Sequence, residues 1–288
     1  MEANLKKHLE YLLCVRILNI RTLSGSALSE TYLLETETER FFCKIHRGPQ
    51  ALDMFRSEQS ALKAIAATKT VATPTVRLCE GLEKGALLLM DFVAPKRPEP
   101  NEMVALGHQL AAQHKLSHAP TFGWEADNFI GSLPQSNTRD KNWAAFYVRE
   151  RLLPQLRRAL DAQLLKTNDI PSEAVLLKTC ENVFPEAVPC LLHGDLWSGN
   201  VIISNTGTPY LIDPAVYYGH YEVDLAMTRL FGGFPEVFYR AHASHFPVAP
   251  YAKERNELYQ LYYLLVHLNL FGSSYYTQVS HILKRYFN

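Results

Sequence analysis

The sequence predicts an α+β protein in two parts: a small antiparallel sheet with one main helix, then a larger, mostly helical region. Three observations carry that expectation. Residues 1–93 read in the order hairpin, helix, further strands. The segment Ala94-Pro95-Lys96-Arg97-Pro98-Glu99-Pro100 holds three prolines in seven residues, which neither a strand nor a helix interior can carry. Beyond it the pattern is helical, with one β-like island at 190–213. The boundary therefore falls after residue 93, giving parts 1–93 and 94–288.

Taken in order, residues 5–13 read as a short helix. Stretches 31–34 and 40–45 are β-prone, and the acidic turn 35–39 between them predicts a hairpin. Residues 51–67 follow a helical period, with Met54, Ala61, Leu62 and Ile65 on one face. Runs 75–78 and 86–90 are strand-like. After the prolines, helices are expected at 101–118, 142–165, 172–182, 222–231, 252–271 and 274–286. Residues 119–141, with Pro120, Gly123, Gly131 and Pro134, read as a loop-like insertion.

Composition narrows the function classes. The 288 residues are 47% hydrophobic and 20% charged, enough apolar material for large cores and too much for long disorder. Lys and Arg number 29 and Asp and Glu 29, so no global basic field draws the chain to nucleic acid or an anionic membrane. The longest early apolar run, 11–15, is far short of the roughly 20 residues a bilayer span requires. The five cysteines are scattered and form no C-x-x-C, as in a reducing, cytoplasmic setting. His114 and His118 sit four apart on one helix, but no third metal ligand accompanies them, so a packed or capping role is expected.

The chemistry concentrates in the island. It reads His193-Gly194-Asp195-Leu196-Trp197-Ser198-Gly199-Asn200, then two β-rich runs about Asn205-Thr206-Gly207-Thr208, ending at Ile212-Asp213. A hairpin centred between Thr206 and Gly207 sets Asn200 opposite Asp213, with Cα atoms about 4.5–5.5 Å apart. One amide oxygen and one carboxylate oxygen at the open end of a hairpin suit Mg²⁺, which keeps its other sites for water and phosphate. Asp195, five residues before Asn200, completes the D-x-x-x-x-N spacing of phosphotransferases. There the aspartate accepts a hydroxyl proton, while the asparagine and a later aspartate hold the metal on the nucleotide.

That chemistry also needs a cation on the phosphates. Lys44 sits on a β-prone run, sharing a face with Phe42. Glu58 lies on the apolar stripe of the 51–67 helix, where a carboxylate is costly unless paired, and Lys44 is its natural partner. The polar turn with Ser24, Gly25 and Ser26 stands where a phosphate-covering loop belongs. Met90, Asp91 and Phe92 open the linker, where backbone groups could meet an adenine edge. These readings together call for ATP and Mg²⁺.

These stretches resemble the fructosamine-3-kinase, or ketosamine-3-kinase, family, which shares the bilobal fold of protein kinases, choline kinases and aminoglycoside phosphotransferases. The resemblance rests on residues 192–200, on Asp213-Pro214-Ala215-Val216-Tyr217-Tyr218-Gly219-His220 and on Glu222-Val223-Asp224-Leu225-Ala226-Met227. Phe231-Gly232-Gly233-Phe234, Phe129-Ile130-Gly131-Ser132 and Leu258-Tyr259-Gln260-Leu261-Tyr262 extend it over essentially the whole length. It implies an ATP-dependent kinase that phosphorylates the sugar 3-hydroxyl of ketosamines: fructosamines, ribulosamines, psicosamines or erythrulosamines, as small amines or on glycated protein lysines. The 3-phosphate then leaves the amine, a deglycation repair. A monomer that engages neither nucleic acid nor membrane is expected. A kinase of another alcohol, aminoglycoside-like or choline-like, and a silent nucleotide-binding module are the rival readings. Some relatives carry a cysteine in the phosphate loop; Ala27 stands here, so no redox switch is expected through it.

Four further residues fall within or just after the island. Trp197 could stack on a sugar or line the acceptor site, and His220 and Glu222 could bind sugar hydroxyls. Asp224, at the start of a helix, is expected to accept backbone N–H bonds from the loop around His193 as structural support. Tyr259, Tyr262, Tyr263, Phe271, Tyr275 and Tyr276 read as helix packing, with a ligand wall as the alternative.

Overall fold

The computed structural model describes residues 3–23, 29–246 and 249–287. Helix α1 (Ala3–Leu13) precedes strands β1 (Asn19–Leu23), β2 (Glu30–Glu35) and β3 (Arg40–Arg47), helix α2 (Ala51–Ala67), and strands β4 (Val76–Leu82) and β5 (Gly85–Asp91). The five strands form one antiparallel sheet in the order β1-β2-β3-β5-β4. Its two faces follow from the period-2 alternation of side chains. Phe41, Cys43 and Ile45 join Leu9 of α1 and Leu87 and Leu89 of β5 in one core. On the other face Leu88 and Met90 pack with Phe55 and Leu62 of α2, and Phe42 lies beside them. Lys44 shares Phe42's face and so points toward α2. Strand β1 had no counterpart among the sequence expectations.

The linker differs from the reading of an unstructured break. Pro95–Lys96 form a short edge strand, β6, paired with residues 203–204. An edge tolerates proline because one side of the strand needs no donor. Helix α3 (Pro100–Leu116) then starts with proline in its first turn, where the missing N–H costs nothing.

Two long expectations are refined. Residues 119–141 are not all loop: β7 (Asn128–Ile130) and β8 (Leu133–Gln135) make a hairpin tied down by buried amides. Asn128 Nδ2 donates to Val216 O at 2.7 Å and Gln135 Nε2 to Ala215 O at 3.2 Å, so the hairpin grips the chain just after Asp213. The helix expected over 142–165 is α4 (Trp143–Phe146), a π-helical turn at Tyr147–Leu152, and α5 (Leu153–Asp161). Pro154 explains the break, since it has no N–H for the carbonyl four residues back and its ring crowds that carbonyl. The Glu150 carbonyl accepts from Arg151 Nη1 instead, at 2.9 Å.

Helix α6 (Glu173–Val183) leads to β9 (Cys190–Leu192), β10 (Val201–Ser204), β11 (Pro209–Leu211) and β12 (Tyr217–Gly219). Helices α7 (Glu222–Leu230), α8 (Glu236–Ala243), α9 (Ala252–Phe271) and α10 (Tyr276–Phe287) follow; α8 had no counterpart in the sequence reading. From Leu258 to Leu268 α9 is buried almost all round, the mark of a helix inside a core. Tyr259 and Tyr262 are packing residues, as expected.

The β10–β11 register is one residue away from the expected one. Val201 pairs with Leu211 and Ile203 with Pro209, which brings Asn200 opposite Ile212 rather than Asp213. The Ile212 N–H donates to Asn200 O at 3.1 Å. The turn is the reason. Gly207 N–H donates to Ser204 O, Ser204 N–H to Thr208 O, and Gly207 takes φ +84°. This is a three-residue loop with a left-handed glycine, so its centre falls on a residue and not between two.

Candidate active site

Asp213 recovers through its own backbone what the register shift removes. Its φ of +53° is left-handed, a region aspartate visits more readily than most residues, and it turns the carboxylate out of the ladder. The side chain remains 45% exposed and reaches Lys44 Nζ across from the sheet. Lys44 also donates to Glu58 Oε1 at 2.7 Å, so the pairing expected from the buried stripe is present. Burial alone would lower the Lys44 pKa, but Asp213 and Glu58 outweigh it and the ammonium is held more firmly than usual. Burial pushes Glu58 up to about 7 despite Lys44. Asp213 is also opposed by burial, yet the ammonium beside it brings its carboxyl below the usual range.

The loop after β9 is built around three buried side chains. Asp224 Oδ2 accepts from the His193 N–H at 2.8 Å and Oδ1 from the Gly194 N–H at 2.9 Å, the supporting role expected of it. His114 Nε2 meets the same carboxylate at 3.1 Å, so that histidine is packed inside the fold. His193 receives the Asp195 N–H on Nδ1 at 3.2 Å and meets Ile212 O through Nε2 at 2.9 Å, joining the Asp195 loop to the residue before Asp213. Gly194 sits at φ +82°, and a Cβ there would lie 2.1 Å from Ala215 O, so only glycine lets the two chains meet. Tyr263 donates its hydroxyl to Gly194 O at 2.8 Å, a bond the sequence reading did not anticipate.

Asp195, Asn200 and Asp213 line one cleft of about 730 Å³, together with Lys44, Glu58 and Trp197. Asn200 Nδ2 donates to Asp195 O at 2.8 Å and to Oδ2 at 3.3 Å, which fixes the amide and leaves its oxygen available. Burial, then the charge of Asp213, pushes Asp195 up to about 7, where a carboxylate works as a base near neutral pH. Trp197 is 39% exposed, and its indole lies over Gly199, where a Cβ would come within 2.3 Å of the ring. The Asp213 carboxylate and the Asn200 amide oxygen are hard oxygen donors of the type Mg²⁺ takes. Among the described residues no cluster of three or more His, Cys, Asp or Glu could hold a metal by itself.

Other expected residues stand elsewhere. His220 is buried, with Nδ1 2.8 Å from the Tyr259 hydroxyl, and burial lowers its pKa to about 3. Glu222 forms a two-point ion pair with buried Arg255, at 2.6 and 2.8 Å, and borders a separate cavity of 390 Å³. Neither lines the cleft, so the structure does not bring them beside Asp195; nearness in sequence to Asp213 was too weak a signal. Met90 is buried within β5; the Asp91 N–H donates to Thr75 O and the Phe92 N–H to Arg40 O. Val93 is the next position whose N–H has no partner among the described residues. Ser24, Gly25, Ser26 and Ala27 lie outside the described residues.

The cleft also contains groups that sequence reading missed, His267, Phe231 and the β7–β8 turn at Gly131-Ser132, and it contains Phe271 and Tyr275, for which a ligand wall was the alternative to packing. Tyr263, Val266, His267, Leu270 and Phe271 recur at i, i+3, i+4, i+7 and i+8 along α9, a helical stripe that could have been recognised.

Comparison with known proteins decides the lineage. The sequence profile of the fructosamine kinase family matches residues 2–288. The chain belongs to that family. A ketoamine kinase candidate of Synechocystis sp. is 38% identical over 94% of this chain and 90% of its own. Mouse ketosamine-3-kinase is 33% identical over 96% of each chain. Among solved structures, a fructosamine-3-kinase candidate of Thermobifida fusca superposes with a TM-score of 0.85 at 31% identity, covering 99% of this chain and 98% of that one. An aminoglycoside phosphotransferase in ternary complex with ADP and hygromycin B shares the fold, with a TM-score of 0.66 at 15% identity over 98% of each chain. The α+β, protein-kinase-like architecture expected of a fructosamine kinase is thus present. No helix among the described residues is long and apolar enough to cross a membrane.

Proposed function

We propose that this chain is an ATP-dependent ketosamine 3-kinase that places phosphate on the sugar 3-hydroxyl of ribulosamine- or fructosamine-type compounds. The observation that carries the reading is the meeting of Asp195, Asn200 and Asp213 in one cleft with the Lys44–Glu58 pair. Asp195 accepts the hydroxyl proton or orients the hydroxyl; its pKa of about 7 suits that task. Asp213 and the Asn200 oxygen would hold Mg²⁺, whose charge would neutralise the nucleotide phosphates. Lys44, steadied by Glu58, grips those phosphates. Adenine lies along the linker, and the engaged N–H groups of Asp91 and Phe92 move its donor to Val93. Trp197 bounds the acceptor end.

Parts 1–93 and 94–288 act in this proposal as nucleotide and acceptor lobes. A monomeric, cytoplasmic enzyme working on small amines or protein lysines goes with it; light scattering on the purified chain reads the oligomeric state. The deciding experiment offers ATP and Mg²⁺ with ribulosamines, fructosamines, choline and an aminoglycoside, and follows products by mass spectrometry. A phosphate on ketosamines alone is expected. A phosphate on choline or the aminoglycoside with none on ketosamines overturns the reading.

A further inference from the structure

The lining of the cleft is chemically divided. Its inner carboxylates, Glu58, Asp195 and Asp213, are the only acidic side chains among the lining residues. Phe231, His267, Phe271 and Tyr275 line it too, as a cluster of rings. His267 stands at the centre of these rings, with its centroid 4.5 Å from Phe231, 5.4 Å from Phe271 and 5.2 Å from Tyr275. Phe271 and Tyr275 are tilted 44° to each other at 6.4 Å, so they present faces in different directions. Phe271 is 57% exposed, which is unusual for a phenylalanine beside a cleft. His267 Nδ1 lies 2.8 Å from Tyr263 O and must donate there, which leaves Nε2 of the neutral ring as an acceptor. Burial lowers its pKa, in keeping with a neutral ring.

We propose that Phe231, His267, Phe271 and Tyr275 form an aromatic seat for the protonated secondary amine of the ketosamine and the first methylenes of its substituent. The proposal rests on the ketosamine reading and deepens it. A ketosamine differs from the parent ketose by one positively charged nitrogen two carbons from the phosphorylated position. Ring faces attract such a cation, His267 Nε2 accepts one of its N–H bonds, and the inner carboxylates set a favourable field. The seat is open to water at Phe271, so the substituent runs outward and a lysine side chain can enter from a larger body. Selection for amine-linked sugars over free ketoses then comes from the rings rather than from an acidic residue, and Asp195 stays free for the hydroxyl.

The test uses the full chain and a matched pair of acceptors: a ribulosamine carrying a protonated C1 nitrogen, and the same molecule with an ether oxygen in its place. Phe271→Leu keeps most of the apolar area and removes the ring; Phe271→Trp keeps a ring. In Phe271→Leu, kcat/KM for the amine should fall about 3- to 30-fold through KM, the ether should change less than about twofold, and Phe271→Trp should retain the preference. Equal changes for both acceptors, or none, overturn the seat. Tetramethylammonium binding, followed by NMR line broadening with Mg·ADP present, reads the rings without turnover. Binding lost in Phe271→Leu supports the seat even if no ketosamine is phosphorylated, an outcome that removes the ketosamine reading alone. No binding to the unaltered chain overturns the seat.

Discussion

Asp195→Asn separates activity from stability in opposite directions. The carboxylate has an ordinary pKa of 3.8 and is pushed up to about 7 by burial and by Asp213. An acid whose folded pKa lies above its unfolded one destabilises the fold as pH rises through that window, because the unfolded chain ionises first. At 1.36 kcal/mol per unit, the cost reaches at most about 4 kcal/mol at pH 8 and shrinks to about 0.5 kcal/mol at pH 4. Water entering the cleft reduces this, so about 1–3 kcal/mol at pH 8 is expected, or roughly 2–6 °C in Tm at about 2 °C per kcal/mol for a chain of this size. Asparagine keeps an acceptor for the Asn200 amide and carries no charge. Nucleotide-free Asp195→Asn should therefore melt higher than the parent at pH 8, with the gap closing toward pH 4–5, while ketosamine phosphorylation falls by about 100-fold or more. Differential scanning fluorimetry across that range, with a coupled ADP assay, measures both. A variant that melts lower at pH 8, or by a margin independent of pH, refutes the burial argument; one with near-parent turnover refutes the role of Asp195.

Lys44→Met should cut phosphorylation by at least about 100-fold and raise the KM for ATP, because no other described cation is paired with Glu58 and Asp213; the coupled assay reads this. Gly199→Ala should displace the indole, since a Cβ would lie 2.3 Å from it; steady-state kinetics should show about a tenfold loss of kcat/KM for the ketosamine and a KM for ATP within about twofold. Glu222→Gln leaves Arg255, 1% exposed, without its charge partner. Urea unfolding should show a loss of about 3 kcal/mol, with the ketosamine KM unmoved; a large KM change with unaltered stability would return Glu222 to the acceptor site.

The fold was legible wherever pattern and punctuation agreed. The alternation 41–45, the stripe of 51–67 and the Glu58 carboxylate stranded on it predicted the sheet, the helix and the Lys44 pair. The Asp195–Asn200–Asp213 trio was legible as a set but not in its register. A loop of even or odd length differs by one residue, and only the backbone bonds around Gly207 decide it. The β7–β8 hairpin was illegible because three-residue strands carry almost no periodicity; buried amides hold it, not an apolar face. The π-turn before Pro154 depends on Arg151 reaching back to a carbonyl, a contact no local pattern announces. His220 and Glu222 were misplaced because proximity in sequence to Asp213 is not proximity in space: β12 carries the chain out of the cleft between them.

The precision of the site resides largely in the groups that surround it. Asp195, Asn200 and Asp213 sit on short irregular segments, which alone would leave them mobile. Asp195 and Asp213 are steadied by side chains that bond the backbone beside them. Asp224 clamps the His193 and Gly194 amides, His193 ties Asp195 to Ile212, Tyr263 fixes the Gly194 carbonyl, and Gln135 holds Ala215. Gln135 in turn accepts from the Tyr262 hydroxyl at 2.6 Å, so adjacent tyrosines of buried helix α9 support both ends of the constellation. The same helix presents His267 and Phe271 one and two turns later. Reaction geometry and the proposed recognition of the amine are thus set from one rigid element, while Lys44 and Glu58 arrive from the sheet and α2. A shift of those two elements relative to α9 moves the phosphate grip and leaves the acceptor side intact.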